Sequence, residues 1–248
     1  MSLDERLKYA AMKARHKNLL APWYKKWWGV VILISLGIIF ILLTLSSLYV
    51  VNQVRQILSG QTETLTEQQQ QEYLDTIKGD GTNYRLGTTN PQATIVEFGD
   101  FACPYSKESS QAISRLATEY KDKIKIVWRD YLRNGDSIDL AMSARCAGEQ
   151  GKFWEMHHLL FQNQDSLTTA DADRPSKLAA LAEALSLNTK QFSDCLTNKK
   201  YLAQIKKDYE DGNKLQIIGT PTWFVNNYQF AGAIPEQKFR ELITGIIK

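Results

Sequence analysis

Cysteine is scarce in this chain, with only Cys103, Cys146 and Cys195 among 248 residues. No two of them stand three positions apart, which excludes a C-x-x-C pair for zinc or for a dithiol redox site. The chain also lacks a Walker-type phosphate loop and a dinucleotide-binding glycine fingerprint. These absences predict a protein without a nucleotide or other cofactor.

Histidine offers no metal site either. His157 and His158 are adjacent, so on a helix they point about 100° apart and lack the i, i+4 spacing of a helical zinc site. A metal-binding role and a Cys-His catalytic pair are the alternatives. We expect instead that His157 packs in the protein and that His158 faces solvent.

Net charge is also small, at +3, but it is unevenly distributed. Residues 1–28 carry seven lysines or arginines against two acidic residues, and no charged residue occurs between Lys26 and Arg55. A basic segment is consistent with nucleic-acid binding, but beside a long apolar run it more simply sets membrane topology and attracts anionic lipid. We therefore expect no nucleic-acid partner.

The apolar run predicts one transmembrane helix at residues 29–51. Val30 to Val51 would span roughly 33 Å as a helix, against a hydrocarbon core of about 30 Å. Aromatic residues flank both ends, and the basic segment 1–28 predicts a cytoplasmic N-terminus with the rest extracytoplasmic, either periplasmic or on the outer face. A cleaved signal peptide is the alternative, but the run is long and no A-x-A-like site follows it.

Residues 52–82 are polar and glutamine-rich, which predicts a linker between the membrane and a domain at residues 83–248. Thr64 to Glu67 has capping-box spacing, so a short helix through about Ile77 is expected, with a flexible spacer as the alternative.

A strand followed by a cysteine and a helix forms the centre of that domain. Ala93 to Phe98 is an apolar, β-branched run, and Pro104 suits the first position of the amphipathic helix that follows Cys103. A sulfur at a helix N-terminus meets unpaired N–H groups and the positive end of the helix dipole, which favour the thiolate. The alternative is a small buried cysteine that only packs.

The remaining pattern predicts an α/β fold. Ile124 to Trp128 reads as a strand, and residues 136–216 are almost wholly helical. Two short strands and a last helix follow, at Thr222 to Val225, Tyr228 to Phe230 and Glu236 to Ile247. Pro221 follows Thr220 and opens the first of these strands, and we expect its peptide bond to be cis.

Several motifs together resemble the DsbA-like thiol-disulfide oxidoreductases of the thioredoxin superfamily. They are Glu97 six residues before Cys103, the Cys103-Pro104-Tyr105 turn, Arg129-Asp130-Tyr131, Cys146-Ala147 with Gly151 to His157, and Thr220-Pro221. The resemblance, from about Arg85 onward, implies a thioredoxin fold with a helical insertion, a nucleophilic Cys103, and a Thr220-Pro221 loop that binds protein thiol or disulfide substrates. It also implies that Tyr105 tunes the thiol and faces partners.

The sequence departs from the oxidising members of that family at Ser106, which stands where they have a second cysteine. Disulfide exchange passes through a mixed disulfide, and without a resolving thiol its release requires another thiol. We therefore expect reduction or isomerisation, aided by a small thiol or a membrane redox partner, rather than net oxidation. Ser106 is expected to donate a hydrogen bond to the Cys103 thiolate, although an engineered cysteine-to-serine trapping variant would have the same sequence.

Three further residues complete the expected site. Glu97 lies within an apolar strand near the sulfur, so burial should raise its pKa and suit it to shuttle protons, unless it is a solvated strand-end residue. Cys146 and Cys195 should form a structural disulfide in an oxidising compartment, with two unpaired core cysteines as the alternative.

Two other functions stay open at this stage. One is a peptide-binding chaperone in which Cys103 is incidental. The other is a peroxide reductase that uses Cys103 alone and forms a sulfenic acid.

Overall fold

The computed structural model describes residues 3–19, 22–58, 66–133, 137–169 and 173–247. The chain divides into two compact units, residues 1–65 and residues 66–248, and each is described by itself. The first contains helix α1 (Leu3–Leu19), a short 3-10 turn (Trp23–Lys25) and helix α2 (Trp27–Leu58). The stretch Trp27–Arg55 of α2 is long and apolar enough to cross a membrane, and it contains the expected span 29–51.

The second unit is built on a five-stranded mixed sheet. Its strands, in chain order, are β1 (Arg85–Gly87), β2 (Ala93–Gly99), β3 (Ile124–Asp130), β4 (Thr222–Val225) and β5 (Tyr228–Ala231). They lie in the order β1-β3-β2-β4-β5, and only β2 and β3 run parallel. The two central strands therefore end at the same edge of the sheet, where Cys103 follows β2.

Nine helices accompany the sheet among the described residues of this unit. They are α3 (Glu67–Lys78), α4 (Pro104–Glu119), α5 (Ser137–Gly148), α6 (Phe153–Gln162), α7 (Gln164–Leu167), α8 (Arg174–Ala184), α9 (Thr189–Thr197), α10 (Leu202–Lys214) and α11 (Glu236–Ile246). Helices α5 to α10 lie between β3 and β4 in the chain, and they form the expected helical insertion. The α/β fold with an inserted helical subdomain is thus confirmed.

The side chains of β2 contribute alternately to two hydrophobic clusters, one on each face of the sheet. Ala93 and Ile95 pack in one cluster with residues of α4 and α11, whereas Val96 and Phe98 pack on the opposite face. Successive side chains of a strand point to opposite faces, so Glu97 shares the face of Ile95 and α4. A third cluster fills the helical insertion and includes Phe101, directly after β2.

Helix α3 belongs to the second unit. Thr66 caps it in a capping box with Gln69, and Ile77 is buried in the cluster on the Val96 face. The Tyr73 ring meets Phe224 edge to face, with ring centroids 6.5 Å apart. The unit therefore begins at Thr66, which differs from the boundary at residue 83 expected from composition, because a polar, glutamine-rich helix still buries one face.

Smaller differences concern the ends of elements. The expected capping box began at Thr64, which lies outside the described residues. Helix α9 begins at Thr189, because the Asn188 side chain accepts a hydrogen bond from the Gln191 N–H and so caps it. Strand β1 and the four-residue helix α7 were too short for periodicity to detect.

Candidate active site

Cys103 lies at the N-cap of α4, in the turn that follows β2. Its N–H donates to the Asp100 carbonyl at 3.0 Å, and its own carbonyl accepts from the Lys107 N–H at 3.1 Å, which is the first bond of the helix. Pro104 takes a first-turn position that needs no donor, as expected. Cys103 is a free, half-buried cysteine, and it lies at the positive end of a 16-residue helix.

The Thr220-Pro221 loop lies against this thiol. The peptide bond between the two residues is cis, as expected from the sequence. The Cys103 Sγ donates to the Thr220 carbonyl oxygen at 3.1 Å, across 117 positions of sequence. The antiparallel pairing of β2 with β4 brings them together, because β4 begins just after Pro221 at the end of the sheet where β2 finishes.

Tyr105 and Ser106 occupy different environments in the turn. Tyr105 is 61% exposed and lies on the surface beside Cys103. Ser106 is fully buried, and its Oγ accepts a hydrogen bond from the Asp100 N–H at 3.4 Å. Within the described part of the chain, Ser106 makes no hydrogen bond to Cys103, so the expected contact with the thiolate stays a prediction for the ionised site.

Glu97 is enclosed in the sheet rather than solvated at a strand end. It is 1% exposed, and its register partners on the neighbouring strands are Trp128 and Trp223. Its Oε1 has no hydrogen-bond partner among the described residues. Burial raises the pKa of the Glu97 carboxyl well above its ordinary value, and the negative charge of the Cys103 thiolate raises it further. This direction agrees with the expectation.

Two residues that the sequence analysis did not single out hold the active-site turn. The Asp100 carboxylate accepts from the Ala102 N–H at 2.8 Å and from the Arg133 N–H at 2.9 Å. The Gln164 amide Nε2 donates to the carbonyls of Phe101, at 2.8 Å, and Cys103, at 2.9 Å. An Asp two residues before a turn amide is a recognisable Asx pattern. Gln164, in contrast, is 61 residues from Cys103, and no local signal identifies it.

The other two cysteines are joined in the helical insertion. Cys146 in α5 and Cys195 in α9 form a disulfide with their Cα atoms 5.9 Å apart, the pairing that the sequence analysis expects. This leaves Cys103 without an internal partner.

The two histidines behave differently from each other. His157 is buried between aromatic rings, including Phe101, Trp128 and Phe161, and burial lowers its pKa well below the ordinary value. The expectation that His158 faces solvent is wrong. Its ring is half-buried, with Nε2 2.8 Å from the Ser114 Oγ and Nδ1 2.5 Å from the Trp154 carbonyl, because α4 and α6 pack together.

A buried ionic cluster connects the insertion to the sheet. Arg129 and Asp130 of β3, Arg145 of α5, and Asp208 and Asp211 of α10 are all at most 5% exposed. Arg129 contacts Asp208 and Asp211, and Arg145 contacts Asp130 and Asp208, each with N to O distances of 2.5 Å. Each carboxylate thus meets at least one guanidinium, as buried charges require. The cluster fixes two helices of the insertion to β3, the strand beside β2.

Comparison with known proteins agrees with this architecture. A family model described as thioredoxin matches residues 79–244. A Na(+)/H(+) antiporter NhaA 1 of Salinispora arenicola is 35% identical over 151 residues, which make up 59% of this chain and 22% of the antiporter. A Rickettsia conorii protein named as a protein-disulfide oxidoreductase is 28% identical over 158 residues, covering 62% of this chain and 57% of that protein.

A solved structure extends the comparison to the fold. The thiol-disulfide exchange protein alpha-DsbA2 of Wolbachia pipientis superposes with a TM-score of 0.62 at 22% identity, over 71% of this chain and 92% of that one. The family match leads to one conclusion: the chain belongs to the thioredoxin family.

Proposed function

We propose that this protein is a membrane-anchored thiol-disulfide oxidoreductase that exchanges disulfides of protein substrates through the single nucleophile Cys103. The observation that carries the proposal is the 3.1 Å contact between the Cys103 Sγ and the Thr220 carbonyl. It sets a free thiol at a helix N-terminus beside the cis-Pro loop, where an extended substrate chain has backbone groups to bond. The family membership and the name of the Rickettsia relative support the same reaction class.

The chemistry proceeds in two exchanges. In the first, the Cys103 thiolate attacks one sulfur of a substrate disulfide, a Cys103–substrate disulfide forms, and the second substrate sulfur leaves as a thiolate. In the second, a thiolate attacks the substrate sulfur of this mixed disulfide and releases the Cys103 thiolate. If that thiolate is a third cysteine of the substrate, different from the two that were paired, the net result is isomerisation. If it comes from a small thiol, and a second small thiol supplies the final attack, the substrate is reduced by two electrons.

Ser106 decides between these outcomes and net oxidation. Its hydroxyl lacks the nucleophilic sulfur that would resolve the mixed disulfide from within the turn. The monothiol site therefore depends on a thiol from outside the chain or from the substrate. We infer that Ser106 rotates its hydroxyl proton toward the Cys103 sulfur when the latter ionises, since its Oγ only accepts a bond from Asp100 in the present state.

Glu97 is a protonatable group close to the Cys103 sulfur. Because burial raises its pKa, the carboxyl is protonated where an exposed carboxyl would be ionised. A neutral Glu97 adds no negative charge near the Cys103 thiolate, and it can exchange its proton with the Cys103 sulfur. Thr220 and Pro221 are proposed to bind the substrate backbone, and the exposed Tyr105 to contact its side chains.

The proposed location of the reaction is argued mainly from the first unit, which contains the apolar helix α2. We propose that α2 anchors the chain in the cell membrane, with the basic residues 1–28 in the cytoplasm and the catalytic domain outside. The long apolar helix, the charge asymmetry and the Cys146–Cys195 disulfide support this arrangement, since disulfides persist in oxidising compartments.

The test uses the full chain in detergent and a peptide that contains one disulfide. We expect the wild-type chain to form a mixed disulfide at Cys103, detected by non-reducing mass spectrometry, and to release it when a small thiol is added. Cys103→Ala should abolish both steps. Ser106→Cys should convert the site to a dithiol that releases the substrate without added thiol, because the new cysteine resolves the intermediate.

Two outcomes would count against the proposal. Peptide binding that persists unchanged in Cys103→Ala, without mixed disulfide in the wild type, would favour the chaperone function. A sulfenic acid that forms at Cys103 with peroxide faster than any mixed disulfide would favour the peroxide reductase.

A further inference from the structure

The short helix α7 touches the active-site turn through one side chain. Gln164, its first residue, is 3% exposed, and its amide nitrogen donates to two carbonyls of the turn, those of Phe101 and Cys103. These carbonyls belong to the Phe101–Ala102 and Cys103–Pro104 peptide groups, so one side-chain amide bonds the backbone on both sides of Ala102. Both hydrogens of the Gln164 amide are used, and both point to the backbone that carries the nucleophile.

A side-chain amide fits this position well. The two carbonyls are acceptors, so the group that faces them must donate twice. A carboxylate of the same shape has acceptors only, and a thioether of similar length has no donor. The Cys103 carbonyl already accepts from the Lys107 N–H. Gln164 thus takes the second lone pair of an oxygen whose first lone pair begins helix α4.

The insertion holds Gln164 in place from the other side. Helix α7 follows α6 directly, and Phe161 at the end of α6 packs on the Phe101 ring with centroids 5.1 Å apart. Phe101 is fully buried in the core cluster of the insertion. Phe101, two positions before the nucleophile, therefore contacts the insertion in two ways. Its ring packs on Phe161, and its carbonyl accepts a hydrogen bond from Gln164.

We propose that Gln164 is a positioning residue for Cys103, through which the helical insertion sets the direction of the reactive sulfur toward the Thr220 loop. The inference rests on the proposed function and deepens it. Gln164 acts through the backbone of the turn, to which its two hydrogen bonds are made. It fixes the backbone on both sides of Ala102, and this backbone directs the Cys103 Sγ to the Thr220 carbonyl, where a substrate disulfide must align for in-line attack.

The decisive comparison is between Gln164→Met and Ser166→Ala in the full chain. Methionine keeps the length of the side chain and removes both donors. Ser166 lies on the same helix, and among the described residues its hydroxyl bonds only to the Asn163 carbonyl, so its loss leaves the active-site turn untouched. The two rates to measure, far below the unfolding temperature, are mixed-disulfide formation with the peptide disulfide and alkylation of Cys103 by iodoacetamide.

We expect Gln164→Met to slow mixed-disulfide formation at least about ten-fold, because misaligned attack is penalised steeply. Alkylation, which needs an exposed thiolate but no alignment with the Thr220 loop, should change less than about three-fold. Ser166→Ala should leave both rates unchanged. Mixed-disulfide formation in Gln164→Met within two-fold of wild type would overturn the proposal, as would a loss of both rates in the same proportion.

A second variant supplies a signature that a merely structural residue lacks. In Gln164→Glu the ionised side chain opposes two carbonyls, whereas its protonated form has one donor. The rate of mixed-disulfide formation, divided by the wild-type rate at the same pH, should therefore fall as pH rises. A ratio that is independent of pH would contradict the proposal.

Hydrogen exchange separates this inference from the proposed function. If the wild-type chain forms no mixed disulfide, the proposed function fails, and amide exchange over residues 101–107 still tests Gln164. Faster exchange there in Gln164→Met, but not in Ser166→Ala, supports its positioning role, and equal exchange in both variants rejects it.

Discussion

Glu97 is the residue whose environment most alters its chemistry. A carboxyl group between Trp128 and Trp223, at 1% exposure, has lost nearly all of its hydration, and its Oε1 has no protein partner in the described part of the chain. The charged form is therefore disfavoured, and the native state retains a proton that the unfolded chain releases near pH 4.3. Such a group links the stability of the fold to pH.

The first prediction concerns this linkage. Between the pKa of Glu97 in the unfolded chain and its raised pKa in the native state, the native state binds more protons, so the free energy of unfolding falls as pH rises. The slope from this group is about 1.4 kcal/mol per pH unit across that window. Glu97→Gln should remove this slope, as measured by denaturant unfolding of the full chain in detergent at a series of pH values.

The control for Glu97 is Glu183→Gln, which changes an exposed carboxylate on α8. It should retain the wild-type dependence on pH. A Glu97→Gln variant whose stability falls with pH as steeply as that of the wild type would show that Glu97 is ionised in the native state, and the proton-shuttling role would be lost with it.

At the scale of elements, helices α5 and α10 are fixed to β3 by charged groups rather than by apolar contacts alone. Asp208 of α10 accepts from Arg129 and Arg145, and also from the Asn83 side chain at 3.0 and 3.1 Å. Arg129 in addition donates to the carbonyls of Thr76, at 2.8 Å, and Ile77, at 3.2 Å, at the end of α3. One buried cluster therefore joins three helices to a central strand.

The second prediction tests this buried ionic cluster with the substitution Asp208→Asn. The substitution keeps the shape of the side chain and removes a negative charge that faces two buried guanidinium groups. Breaking a buried ion pair on one side costs about 3–5 kcal/mol, because the remaining charge is left without compensation. Denaturant unfolding should show a loss toward the lower end of this range, since Arg129 keeps Asp211 and Arg145 keeps Asp130.

Lys190→Met is the matched control for a surface pair. It removes the solvent-exposed contact with Asp194 four residues later on α9, and it should leave the unfolding midpoint unchanged. If both substitutions shift the midpoint equally little, the buried cluster is not what holds α10 to the sheet.

For the whole molecule, the arrangement across the membrane decides where the thiol works. The proposal sets the basic N-terminal segment on the cytoplasmic side and Cys103 on the other. The third prediction follows: in intact cells, a membrane-impermeant maleimide should label Cys103. In a Cys103→Ser background, Met12→Cys in α1 should be labelled only after the cells are permeabilised.

The reverse pattern, with Met12→Cys labelled in intact cells and Cys103 protected, would show the opposite orientation. Protection of both positions would show that the catalytic domain stays in the cytoplasm, where a structural disulfide such as Cys146–Cys195 is rarely maintained.

Local signals in the sequence determined several secondary-structure elements of this protein and its candidate membrane span. Pro104 after Cys103, the alternation of Ala93 to Phe98, and the apolar run from Val30 each depend on neighbours a few residues away, so periodicity and single-residue geometry predict the helix start, the buried strand and the candidate membrane span. The position of Pro221 at the start of a strand predicted the cis bond, and the cysteine count in an oxidising compartment predicted the Cys146–Cys195 pair.

The long-range contacts of the active site and of the buried ionic cluster were decided by the tertiary structure alone. The 3.1 Å contact of Cys103 with Thr220, the two bonds from Gln164 to the turn, and the burial of Asp208 between two arginines join residues 61 to 117 positions apart. Such contacts depend on how strands pair and how the insertion packs. A glutamine has the same local propensities whether its side chain faces solvent or bonds to the backbone of an active-site turn. Only the fold distinguishes these two environments.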